Sequence, residues 1–186
     1  MFVKHDKKSI RLKNYNYSNN GFYFITICTK NKIHYFGKIE NNKIVLNWCG
    51  IICENEILKT EKIRNEIKIH EYVIMPNHLH FIIEINKNNN ALLDCKNDIA
   101  GANGRSPLRG TNNKIKLMQP KSISSFVSGF KSSCTSKINK IQPNYFKWQR
   151  NYHDRIILNE ISYFNIKNYI KNNPIMWSCD GNNKYK

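Results

Sequence analysis

Apolar and polar positions recur along this chain regularly enough to predict its elements in order. Residues 22–29 (FYFITICT) are β-branched and aromatic after Gly21, the composition of a strand. Residues 36–39 and 43–46 flank Glu40-Asn41-Asn42 in a hairpin pattern. Residues 48–64 carry apolar side chains at 48, 51, 52, 57 and 58 among charged ones, predicting an amphipathic helix with those positions as its apolar face. Two strand-like runs, 67–75 and 78–85, are separated by Pro76-Asn77, a second hairpin signal. Residues 122–140 suit a helix capped by Ser122, with Ile123, Phe126, Val127 and Phe130 on one face. Trp148 opens an extended stretch through Ile157, and Asn159 starts a last helix that Pro174 stops. Strand, hairpin, helix, paired strands, helix, helix is an α+β order, with an antiparallel sheet expected to carry its helices on one face.

Three segments lie outside this pattern. Residues 1–20 form a basic, polar N-terminal arm, residues 86–116 are polar and aperiodic, and residues 178–186 are a polar tail. The chain beyond residue 116 is too short to fold alone, so 86–116 reads as a flexible insertion within one domain spanning 21–177.

Composition narrows the function classes. With 186 residues, 40% hydrophobic and 12% aromatic, the chain buries a core without disulfide or metal staples. Thirty Lys+Arg against 13 Asp+Glu leave a net charge of +17. That excess points to a polyanion, nucleic acid before an anionic membrane surface. No stretch approaches the roughly 20 apolar residues that span a bilayer, and the first thirty residues hold no apolar signal-peptide core. The six cysteines contain no CxxC pair, which reads as reduced thiols in a cytoplasmic protein.

Two constellations carry chemistry. In His78-Leu79-His80 the strand alternation puts both imidazoles on one face and Leu79 on the other, a rigid base for a divalent cation. A histidine-triad hydrolase needs a third histidine where Ile82 stands, and a two-motif HxT/S phosphoesterase needs a hydroxyl there, so both are set aside. On the last helix, at about 100° per residue, Ser162, Asn165, Tyr169 and Asn173 fall along one polar seam beside an apolar stripe of Tyr163, Ile166 and Ile170. Tyr169 and Asn173 stand one above the other, offering a phenol and an amide oxygen to the same point. A phenol acts as a nucleophile where a cation polarises the electrophile.

These segments carry a resemblance. His78-Leu79-His80, Trp148-Gln149 with Tyr152-His153-Asp154-Arg155-Ile156-Ile157, and Tyr169-Ile170-Lys171-Asn172-Asn173-Pro174 resemble the REP-associated tyrosine transposases, single-tyrosine members of the HUH endonuclease superfamily. Ser9 to Ser18 with Gly21 to Ile27, and Phe130-Lys131-Ser132, are similar to the same family. The resemblance spans about residues 9–177, interrupted by 86–116. It implies a ferredoxin-like domain in which His78, His80 and Asn173 hold Mg²⁺ or Mn²⁺ and Tyr169 attacks a phosphodiester of single-stranded DNA. A 5′-phosphotyrosine and a free 3′-hydroxyl would result, near hairpin-forming palindromic repeats. Lys7, Lys8, Arg11 and Lys13 of the arm, with Lys131, Lys137 and Lys140, are the expected DNA contacts. His153 is a bystander candidate beside the family's acidic Asp154. A non-catalytic nucleic-acid-binding module of the same fold is the alternative, and a zinc-dependent RNA-binding protein is a third reading. The latter lacks thiolates at zinc spacing.

Overall fold

A computed structural model describes residues 16–87 and 120–183. The arm lysines Lys7 and Lys8, with Arg11 and Lys13, and nearly all of the 86–116 insertion lie outside the described residues. In chain order the elements are β1 (Gly21–Cys28), β2 (Gly37–Glu40), β3 (Lys43–Leu46), α1 (Trp48–Ile63), β4 (Ile67–Met75), β5 (His78–Ile85), α2 (Ile123–Ile141), β6 (His153–Ile157) and α3 (Glu160–Asn172). Local chemistry sets the boundaries. The β2–β3 turn is made by Asn41 and Asn42, both left-handed (φ 49° and 60°), a conformation that asparagine tolerates and a two-residue hairpin requires. Asn47, Ser122 and Asn159 cap α1, α2 and α3, each side-chain oxygen accepting from backbone N–H groups of its first turn.

The main sheet has the order β4-β5-β1-β6, every pair antiparallel, and β2–β3 forms a separate ribbon. With that ribbon set aside, the chain runs βαββαβ, the ferredoxin-like arrangement. Strand alternation divides the core in two. Tyr23, Ile25 and Ile27 of β1 and Leu79, Phe81 and Ile83 of β5 face α1 and α2, whose Cys53, Ile57, Phe126, Phe130 and Ile138 complete that layer. Phe22, Phe24, Val73 and Ile82 face the opposite way and are covered by Tyr163, Ile166 and Ile170 of α3. The expected placement of helices on one face therefore holds for α1 and α2 only. The apolar stripe of α3 is complementary to the second sheet face, which would otherwise expose Phe24 and Ile82.

The buried stripe of α1 also differs from the expected one. Cys49, Cys53, Glu56, Ile57 and Thr60 are buried, whereas Trp48, Ile51 and Leu58 are 37%, 49% and 58% exposed. The reason is the cap. Asn47 binds the N–H groups of Cys49 and Gly50 and sets Gly50 against the Phe36 carbonyl, where a Cβ would overlap it. That phase turns the two small thiols inward. Among the described residues no helix is long and apolar enough to cross a membrane.

Candidate metal and nucleophile site

β5 places His78 and His80 beneath α3, 0% and 3% exposed, with ring centroids 4.6 Å apart. Each imidazole is held from its Nδ1 side. His80 Nδ1 lies 2.8 Å from the Thr26 hydroxyl, across the β1–β5 register, and its ring stacks on Phe24. His78 Nδ1 lies 2.8 Å from Asn77 Oδ1. The Asn77 amide nitrogen donates to the carbonyls of Lys32 and Asn182, at 3.0 and 2.9 Å, so its orientation is set and Oδ1 accepts only. His78 must then carry its proton on Nδ1, which leaves Nε2 with an open lone pair.

The last turn of α3 delivers the other groups. Tyr169 is 45% exposed, and its hydroxyl lies 3.2 Å from His80 Nε2. Asn173, one turn on, is 1% exposed. Beyond Pro174 the chain runs to the end of the sheet where β5 begins. Trp177 packs against His34 and His78, Lys32 donates to the Gly181 carbonyl, and Asp180 comes to 3.9 Å from His78 Nε2 with its side chain 5% exposed. Ligand atoms of His78, His80 and Asp180 lie within 4.8 Å of one another.

Burial pushes His78 down to about 4 against the opposing pull of the Asp180 carboxylate, and burial likewise holds His80 well below the usual histidine range. Both rings are therefore neutral at physiological pH, the form that ligates a metal. Burial and the Asp180 charge raise the Tyr169 phenol above its ordinary value. Among the described residues, two buried atoms here have no hydrogen-bond partner, His78 Nε2 and Asn173 Oδ1. A buried acceptor without a donor costs about 1–3 kcal/mol. Two such acceptors beside a carboxylate fit a divalent cation, because a cation satisfies all of them at once.

Of the expected site residues, the fold thus brings His78, His80, Tyr169 and Asn173 together. Asn173 keeps helical backbone angles (φ −57°, ψ −41°) at the end of α3 and is buried there, whereas Tyr169 on the same seam is half exposed. Asp180, assigned to the polar tail, joins the group, so the folded unit runs past residue 177. It is the only acidic residue after Glu160, a faint signal in a basic chain. Among the other expected DNA contacts, Lys137 is paired with Glu56, while Lys131 donates to the carbonyls of Gln149 and Asn151. Lys140 is exposed. Asp154 is buried opposite Ile25 on the α1–α2 side of the sheet, away from the histidines, and His153 is exposed. The rival tyrosines are engaged elsewhere: Tyr163 with His70 at 3.3 Å and Tyr152 with Ser124 at 2.9 Å.

No family model matches the chain. An uncharacterised protein of Haemophilus influenzae is 41% identical over 176 residues, covering 95% of this chain and 92% of that one. Among solved structures, a REP-associated tyrosine transposase bound to a REP hairpin superposes with a TM-score of 0.54 at 17% identity, covering 90% of this chain and 74% of the other. At that identity the likeness is one of fold.

Proposed function

We propose, for a chain that belongs to one family with the Haemophilus influenzae protein and has the fold of a REP-associated tyrosine transposase, that it cleaves and rejoins single-stranded DNA near hairpin-forming repeats through a single tyrosine. The observation that carries this reading is the position of the Tyr169 hydroxyl, 3.2 Å from His80 Nε2 and beside the unpartnered His78 Nε2 and Asn173 Oδ1.

His78, His80, Asn173 and Asp180 would hold the cation, and the two imidazoles favour Mn²⁺ over Mg²⁺ by ligand type. When bound, such an ion would supply Lewis-acid polarisation of the scissile phosphate and stabilisation of the charge that develops there. Asn77 and Thr26 hold the two rings, and α3 holds the phenol over them. Tyr169 oxygen bonds to phosphorus as the bond to the 3′-oxygen breaks. The phenol gives up its proton and the departing 3′-oxygen gains one, leaving a 5′-phosphotyrosine and a free 3′-hydroxyl. Attack by a 3′-hydroxyl reverses the step. One phosphodiester replaces another, so the exchange is near energetic balance and needs no nucleotide cofactor. The half-exposed phenol suits a polymeric substrate, which a closed pocket would exclude.

Incubation with a 5′-unlabelled, 3′-labelled hairpin oligonucleotide and Mn²⁺, followed by a denaturing gel, tests the reading. The label should migrate with the protein. Free labelled fragments without a protein-linked species would replace the tyrosine mechanism with hydrolysis, and an intact strand would remove cleavage altogether.

A further inference from the structure

A second feature lies beside the site and takes no part in the strand-transfer chemistry. The turn after β1 and the strand-like segment before β6 are joined by the Thr29–Trp148 bridge, by Lys30 N–H donating to the Lys147 carbonyl and by Gln149 N–H donating to the Cys28 carbonyl, both at 2.9 Å. Between this wall and the outer side of α2 runs an open groove of about 870 Å³. Its lining includes Lys30, Lys32, Lys147 and Arg150 and no acidic residue. None of the ion pairs among the described residues involves these four side chains. Their charge is therefore available, whereas that of Lys137 is spent on Glu56.

The groove adjoins the candidate site through one residue. Lys32 lines it, its carbonyl accepts from Asn77, and its ammonium donates to the Gly181 carbonyl next to Asp180. The aromatic groups along the groove are not offered for base stacking. Phe146 is fully buried, and Trp148 donates to the Lys131 carbonyl with its ring packed among Phe36, Phe130 and Phe146. A cationic channel without a free aromatic face grips phosphates and offers no platform on which bases stack.

We infer that this groove holds the phosphodiester backbone of a DNA hairpin stem, through Lys30, Lys147 and Arg150, and leads the strand toward Tyr169. The inference rests on the proposed strand-transfer function for its substrate, and it assigns positioning to the groove and leaves sequence choice to other surfaces.

The test is the salt dependence of hairpin affinity in the triple variant Lys30→Gln/Lys147→Gln/Arg150→Gln, by fluorescence anisotropy, with a thermal melt as the check on folding. Loss of three duplex phosphate contacts should flatten the log–log salt slope by about 2 to 3 and weaken binding roughly tenfold or more at low salt. The loss should be equal for a repeat hairpin and one of scrambled sequence, while Mn²⁺ affinity stays unchanged. An unaltered slope overturns the inference, and so does a loss confined to one sequence. Tighter retention on anionic phospholipid vesicles than on DNA, lost in the same variant, would assign the groove to a membrane surface instead. Protein–DNA adduct formed with an unchanged slope would sink the groove and spare the tyrosine reading. A flattened slope without any adduct from the unsubstituted protein would do the reverse.

Discussion

Asn77 Oδ1 lies 2.8 Å from Nδ1 of His78, and this contact decides which ring nitrogen of His78 faces the site. Because the Asn77 amide nitrogen is committed to two backbone carbonyls, the oxygen has no freedom to exchange places with it. One of those carbonyls belongs to Asn182, so the same side chain anchors the segment that carries Asp180. A single buried amide thus prepares two donors from distant parts of the chain.

Asn77→Ala should accordingly weaken Mn²⁺ binding by about 10–100-fold, the usual cost of removing a residue that orients a ligand. Electron paramagnetic resonance measures the affinity. ¹⁵N chemical shifts of His78 should change from one tautomer to a mixture, an effect that a general loss of packing does not produce. A single Nδ1–H tautomer with unchanged affinity would contradict the assignment.

Asp180→Asn keeps the shape of the side chain and removes its charge. Mn²⁺ affinity should fall roughly tenfold or more, since charge sets much of the affinity of an oxygen ligand for a hard cation. Isothermal titration calorimetry measures it. The melting temperature without metal should hold or rise, because the carboxylate sits beside a buried neutral imidazole and gains little from it. Equal affinities in the two proteins would return Asp180 to a packing role.

Glu56 provides the pH prediction. Burial alone would raise its carboxyl, but hydrogen bonds from Lys137 and Ser133 outweigh burial and hold it below its ordinary value of 4.5. A depressed folded-state value means that the stabilisation is present above about 4.5 and is lost as pH falls through the folded value. Glu56→Gln should cost about 1 kcal/mol at neutral pH, the usual net worth of such hydrogen bonds. It should also flatten the fall of melting temperature with acidification below pH ~5. Parallel acid profiles for the two proteins would show that Glu56 does not tie α1 to α2.

Much of this fold is legible in the sequence because local chemistry and tertiary packing agree. Runs such as 67–75 and 78–85 are rich in β-branched and aromatic residues and are separated by Pro76-Asn77, and β4 and β5 occupy those spans. Disagreement arises where long-range packing chooses among local options. Ile51 and Leu58 are as apolar as any residue of α1, yet Asn47 and Gly50 fix a phase that turns Cys49 and Cys53 inward. Nothing local says which side of the sheet α3 will take; the second apolar sheet face does. The site divides in the same way. His78, His80, Tyr169 and Asn173 stand at spacings that strand and helix periods make meaningful, whereas Asp180 arrives through a bend after Pro174 held by Trp177, Lys32 and Asn77. No periodicity reports such a contact.

The central claim is that Tyr169 is the nucleophile of a metal-assisted strand transfer. Its most direct measurement is peptide mass mapping of the species formed with a hairpin oligonucleotide and Mn²⁺. The nucleotide mass should lie on the peptide containing Tyr169. It should be absent from Tyr169→Phe, whose fold and hairpin affinity should survive within about 1 kcal/mol because only one hydroxyl is lost. It should also be absent from the His78→Ala/His80→Ala protein, with hairpin binding retained. Nucleotide mass on the Tyr163 or Tyr152 peptide, or an adduct that persists in Tyr169→Phe, would contradict the account.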